Sequence, residues 1–254
     1  MRRSYDEPFG WWGPAWTQPA PRPVGELIAH GLITHEAAAL LWALLARRAS
    51  LVVAAGPSGA GKTTLLTALL DFLPPGTRRI HVRGCYEPFD FLTETDPTAS
   101  ALLVNELSPH LPIYLWGSAV RRVLAAVRAG YQLAATAHAE SVEQFIYTLA
   151  GYPLRIPAEE IAAIDLLLLL DAWLEGGTVR REVRAIVNLA AGPSPGSLMP
   201  VTLAHRRGRG APLIVDVAAS ADLYTRLGGE QAAFEPEVQT RVRALAGTES
   251  GAAR

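Results

Sequence analysis

Gly56-Pro57-Ser58-Gly59-Ala60-Gly61-Lys62-Thr63 is the stretch whose reading decides the fold of this chain. It follows a short apolar run at residues 51–55 and leads into a helical pattern at residues 62–73. Pro74-Pro75-Gly76 stops that pattern. Strand, glycine-rich loop and helix, in that order, are the context in which the pattern G-x-x-x-x-G-K-[ST] carries chemistry. The glycines let successive backbone N–H groups turn inward around an anion. The following helix points its positive end at the same place. The stretch therefore predicts a phosphate-gripping loop at the carboxyl end of a buried strand, where α/β sheets bind their ligands.

The residues of the loop divide the work. Gly56, Pro57, Ser58, Gly59, Ala60 and Gly61 shape the cradle, Thr64 continues it into the helix, and Lys62 is expected to neutralise β- and γ-phosphates. The Thr63 hydroxyl is expected to complete a Mg²⁺ shell that otherwise keeps waters. ATP and Mg²⁺ are thus the expected ligands. Lys62 is also the one lysine in the chain, against 22 arginines. Arginine serves wherever a surface cation is wanted, and the compact ammonium is kept for the position facing phosphate.

Composition bounds the rest. With 254 residues, half of them hydrophobic, the chain can build one α/β domain with a sizeable core. A net charge of −1 gives it no strong pull towards nucleic acid or an anionic membrane. The local basic cluster His205-Arg206-Arg207-Gly208-Arg209 reads as a surface loop, and no nucleic-acid partner is expected. Cys85 is the sole cysteine, so no internal disulfide forms. Met1-Arg2-Arg3 is not followed by the apolar segment of a secretory signal. The apolar runs at 37–46 and 166–170 fall short of the ~18–20 residues a spanning helix needs.

Outward from the loop, three regions are expected. Residues 1–24 hold five prolines and the cluster Trp11-Trp12-Gly13-Pro14-Ala15-Trp16, and read as a tail without regular structure. Residues 25–192 alternate strand and helix signals, the pattern of a predominantly parallel sheet flanked by helices. Thr34 and Ser141 are candidate N-caps, the latter with Gln144 in a capping box. The run Leu166-Leu167-Leu168-Leu169-Leu170 reads as a strand buried on both faces, and Gly176-Gly177 as a hairpin turn. Residues 193–254, after Gly192-Pro193-Ser194-Pro195-Gly196, read as a small appendage of strand and helix.

Three segments besides the loop carry a resemblance. Gly31-Leu32-Ile33-Thr34-His35-Glu36-Ala37, the Val52-Val53 strand, and the stretch GYQLAATAHAE from Gly130 to Glu140 together resemble ATPases of type II and type IV secretion and pilus assembly. The likeness is strongest to the branch that assembles Flp/tad pili and the related type IV secretion motors, and covers roughly residues 25–190. It implies a RecA-like P-loop core followed by a hairpin. It also implies that Glu106, ending Ala101-Leu102-Leu103-Val104-Asn105-Glu106, orients the attacking water and helps hold Mg²⁺. Thr136-Ala137-His138 matches the histidine box of that family, so His138 is expected at the γ-phosphate. Glu87 is the candidate survivor of its acidic box.

The same resemblance implies a hexameric ring, or co-assembly with a full-length motor, docked on inner-membrane platform proteins at the cytoplasmic face. This sequence departs from the pattern in three places. Asn105 and Leu107 replace the usual Gly and Arg around the glutamate, the acidic pair is missing, and only about fifty residues precede the loop. Set against the resemblance, the region that usually supplies arginines to the nucleotide is expected to be reduced. Two functions follow: an ATP-hydrolysing motor subunit, or a nucleotide-binding accessory subunit with weak hydrolysis. No separate acceptor site suggests a small-molecule kinase, and no Leu-Ser-Gly-Gly signature suggests an ABC transporter subunit.

Overall fold

In the computed structural model, which describes residues 4–7 and 22–252, one eight-stranded sheet organises the chain. The strands are β1 (Leu51–Ala54), β2 (Arg78–Val82), β3 (Ser100–Leu107), β4 (Gln132–Ala137), β5 (Leu166–Glu175), β6 (Thr178–Ala191), β7 (Leu198–His205) and β8 (Ile214–Val215). Their order is β2-β3-β4-β1-β5-β6-β7-β8. The first five run parallel, and β6, β7 and β8 add on as antiparallel neighbours. This is the mixed α/β architecture expected, with β1 near the middle and helices on both faces.

Period-two alternation explains why both faces are covered. Leu166, Leu168 and Leu170 join one apolar cluster, while Leu167 and Leu169 join the other. Leu51 and Val53 likewise divide from Val52 and Ala54. Each buried leucine contributes about 1.5–3 kcal/mol, so this run stabilises the sheet from both sides. One face is closed by α1 (Val24–Ala29), α2 (His35–Leu45), α3 (Lys62–Leu69), α8 (Ala221–Arg226) and α9 (Gln231–Ala252). The other is closed by α4 (Phe91–Glu94), α5 (Ser118–Arg128), α6 (Val142–Ala150) and α7 (Ala158–Ile161).

The local signals acted as physics requires, with shifts of detail. Thr34 Oγ1 accepts from Ala37 N at 3.3 Å and caps α2. Ser141 Oγ accepts from Gln144 N, but the Gln144 side chain reaches back to the Glu140 amide, one residue earlier than a standard capping box. Arg47 and Arg48 follow the last turn of α2. Arg48 adopts φ +69° and donates to the carbonyls of Pro97, Ser100 and Gly130, tying three loops together.

Two expected boundaries differ. Residues after 193 are not an appendage: β7 pairs with β6 along the main sheet, and Phe234, Val238 and Leu245 of α9 are buried in the same cluster as α2. The apolar all-round face of α2 needs that cover. Residues 4–7, placed in the tail, include a 3-10 turn at Ser4–Asp6 whose Tyr5 is buried against Phe91. Asp6 pairs with Arg78 at 3.0 Å. The tryptophan cluster at 11–16 lies outside the described residues. Cys85 is exposed. No helix among the described residues is long and apolar enough to cross a membrane.

Candidate nucleotide site

The carboxyl ends of β1, β3 and β4, adjacent in the sheet, open on one side of the molecule. From β1 the chain enters the glycine loop. Gly59 and Gly61 take φ of +77° and +93°, values a side chain resists, and Gly61 is the residue before α3 begins at Lys62. Gly56 has a different constraint: an added Cβ would fall 2.3 Å from the Glu140 side chain. The loop therefore has the form its sequence predicts, wrapped before a helix N-terminus. Residues 58–64 line an open cleft of about 650 Å³.

Three side chains meet at the floor of this cleft. Lys62, 8% exposed, reaches within 3.7 Å of Glu106 Oε2 and 3.4 Å of His138 Nε2. Glu106 is 7% exposed, and its Oε1 approaches His138 Nε2 at 2.8 Å. That approach lacks hydrogen-bond geometry, so Oε1 is a buried carboxylate oxygen with no hydrogen-bond partner. His138 is oriented by Gly56 in the loop, its Nδ1 lying 3.2 Å from the Gly56 carbonyl. The Thr136 hydroxyl donates to the Asn105 carbonyl and locks the ends of β3 and β4 together. A bulge in β3 between Val104 and Leu107 accompanies the turn of Glu106 into the site.

The electrostatics follow from burial. Desolvation lowers the Lys62 pKa, and the Glu106 carboxylate opposes that fall. Desolvation also lowers the pKa of His138, helped by the Lys62 ammonium and opposed by Glu106. The imidazole is therefore held towards its neutral form. A buried cation whose strongest ion pair is 3.7 Å long has unspent capacity for a closer anion.

The structure brings together Ser58, Gly59, Ala60, Gly61, Lys62, Thr63, Thr64, Glu106 and His138 around the cleft, while Gly56 and Pro57 do not line it and Gly56 acts through its carbonyl on His138. It does not bring Glu87 to them. Glu87 Oε2 accepts from Arg83 N and Oε1 from Phe89 N, both at 2.8 Å, and the residue is not among those lining the cleft. Its carboxylate is occupied as a staple for the turn after β2. The donor set otherwise fits a magnesium–nucleotide complex: inward amides, one ammonium, a hydroxyl and an orphaned carboxylate oxygen.

Several cleft residues had no signal in the sequence. Arg180 and Arg181 come from β6, and Tyr114 comes from the segment that folds back beside β3. Arg181 Nε donates to the Gly59 carbonyl at 2.9 Å. Only the pairing of the β5–β6 hairpin carries these arginines past the loop. Beside the cleft, His110 packs against His138 with ring centroids 4.2 Å apart and planes tilted by 55°. The basic cluster at 205–209 is partly spent internally: Arg206 pairs with Glu182 and Arg209 with Asp171.

No family model matches the chain. It is 28% identical over 187 residues to MJ0900 of Methanocaldococcus jannaschii, described as an uncharacterized protein; the match covers 65% of this chain and 33% of that one. A second uncharacterized protein of the same organism, MJ1287, is 27% identical over 183 residues, covering 65% of this chain and 67% of its own. The thiamine import ATP-binding protein ThiQ of Photobacterium profundum is 29% identical over 84 residues, about a third of each chain. The chain thus spans about a third of the length of MJ0900. Among solved structures, the VirB11 ATPase of the Brucella suis type IV secretion system, in complex with sulphate, superposes with a TM-score of 0.41 at 20% identity. That superposition covers 59% of this chain and 50% of the other. The Legionella pneumophila ATPase DotB gives 0.30 at 14% identity, covering 79% and 54%.

Proposed function

We propose that this chain binds Mg–ATP in the cleft and hydrolyses it as a subunit of a secretion or pilus-assembly motor. One observation carries the reading. Lys62, Glu106 and His138 converge from three adjacent parallel strands at the start of α3. The amides of the loop and the N-terminus of α3 take the phosphates. Lys62 exchanges its long contacts with Glu106 and His138 for a phosphate oxygen. Glu106, released, accepts a hydrogen bond from the attacking water, and neutral His138 reads the terminal phosphate from the other side. Thr63 and Glu106 would hold the magnesium ion, which supplies charge neutralisation as the terminal phosphoryl group departs.

Positive charge in this chain comes partly from its own hairpin, through Arg180 and Arg181. A ring of subunits would add arginines in trans, which in phosphoryl transfer are worth ~10³–10⁵ in rate. The secretion and pilus assignment rests on the sequence resemblance around the loop, Glu106 and His138. The second reading, an accessory subunit that binds ATP and turns it over feebly, is favoured by Glu87. Its carboxylate staples a turn, leaving no acidic-box group in the cleft.

The decisive variant is Lys62→Ala. It is expected to lower Mg–ATP affinity by at least ~10²-fold, the scale of a charge-assisted contact to phosphate, with the circular dichroism spectrum unchanged. Parent-like binding by a folded variant, measured by calorimetry, would remove the site assignment. Turnover of the pure chain, alone and with a full-length motor, separates the two readings: vigorous hydrolysis by the chain alone leaves only the first.

A further inference from the structure

We propose that Glu106, His110 and His138 form a binding site for a divalent transition-metal cation of the zinc class. Each residue offers a ligand atom within 4.8 Å of the other two. Around a tetrahedral ion with bonds of roughly 2.0–2.2 Å, ligand atoms stand roughly 3.3–3.6 Å apart. Closing the set takes a small inward movement of exposed His110 and an opening of about 0.5 Å or more between Glu106 Oε1 and His138 Nε2, now 2.8 Å apart. Two imidazoles and one carboxylate suit zinc, cobalt or nickel, whereas magnesium and calcium prefer oxygen alone.

The hydrogen bonds around the cluster argue the same way. A carbonyl only accepts, so His138 Nδ1, facing the Gly56 carbonyl, carries a proton. The other nitrogen, Nε2, then faces Glu106 Oε1 at 2.8 Å without forming a hydrogen bond. Two electron-rich atoms at that distance call for a cation beside them, a place now held only at long range by the Lys62 ammonium, 3.4 Å from Nε2. His110 Nδ1 lies 2.6 Å from the Ser108 hydroxyl, and when it donates to that oxygen Nε2 is left to bind. Metal-ligating histidines usually have their second nitrogen fixed in this way by a neighbouring polar group. The unpartnered Glu106 Oε1, on a side chain 8% exposed, is the third ligand.

Lys62 is the competitor, with its ammonium 3.4 Å from His138 Nε2. A metal ion and the ammonium repel each other there, so the site is strongest when the ammonium is gone or drawn elsewhere. His110 does not line the nucleotide cleft. It is also exposed, so its replacement does not threaten the fold.

The test uses untagged protein carrying Cys85→Ser, which removes the exposed thiol as a rival ligand. Cobalt(II) is titrated in and followed by visible absorption, then displaced with zinc(II) in equilibrium dialysis. Stoichiometric binding with a nitrogen–oxygen spectrum is expected. His110→Ala should weaken it by at least about tenfold while leaving Mg–ATP binding unchanged, and Lys62→Met should tighten it. Absence of stoichiometric binding, or equal binding in His110→Ala, overturns the proposal. Because the readout is the metal itself, a protein that binds cobalt through His110 yet ignores ATP would refute the nucleotide reading and leave this one standing.

Discussion

Lys62, Glu106 and His138 each occupy a place that makes sense only with the other two. The carboxylate holds the ammonium, the ammonium helps keep the imidazole neutral, and the imidazole is anchored to the loop that the ammonium serves. Glu106→Gln keeps the shape and the acceptor oxygen but loses the charge that polarises water. Mg–ATP affinity should persist while turnover falls by ~10²-fold or more, the usual worth of a positioned base. Steady-state phosphate release together with nucleotide titration would check this, and undiminished turnover would rule Glu106 out as the water-orienting group. At this scale most of the candidate site was readable, because lysine and glycine have few reasons to occur in that spacing. Glu87 was misread because an acid after a strand looks the same in sequence whether it faces a ligand or two amides of its own turn.

Elements decide which of these residues meet. The loop, Glu106 and His138 are brought together by parallel pairing of β1, β3 and β4, which their short apolar runs predict. The contribution of β6 was not readable, because hairpin register is set by pairing with β5 and by the positive φ of Gly176 and Gly177. His110 was missed for a related reason: its partner His138 lies on a different strand, so no ligand spacing appears along the chain. The turn after β2 shows how tightly such connections are fixed. Gly84 has φ +58°, and a Cβ there would fall 1.9 Å from the Ile113 carbonyl oxygen. Gly84→Ala should cost on the order of 3 kcal/mol, combining left-handed strain with a backbone clash. Urea denaturation would register it as a lower midpoint at constant slope; a change below about 0.5 kcal/mol would show that the turn can move aside.

For the whole molecule, the expected separate tail end proved to be structural, since a helix as apolar as α2 needs a second layer and α9 provides it. Stability of this single body should respond to acid through, among others, two half-buried groups of opposite sign. Burial depresses the His81 pKa to about 4, so the unfolded chain takes up a proton that the fold refuses, and stability falls as pH drops from 6.5 towards 4. Burial raises the Asp165 pKa to about 6 from 3.8, so the fold takes up a proton first and gains stability as pH falls through that range. The two partly cancel. In Asp165→Asn the opposing gain is lost, and the melting temperature should drop more steeply between pH 6 and pH 4 than in the parent. A slope no greater than the parent's would remove Asp165 from this balance. Lys62 has one more consequence at this scale. Apart from the α-amino group, it is the only primary amine in the polypeptide, and it is nearly enclosed. Acylating reagents thus have a single internal address, and the yield of modified Lys62 becomes a direct gauge of how full the cradle is.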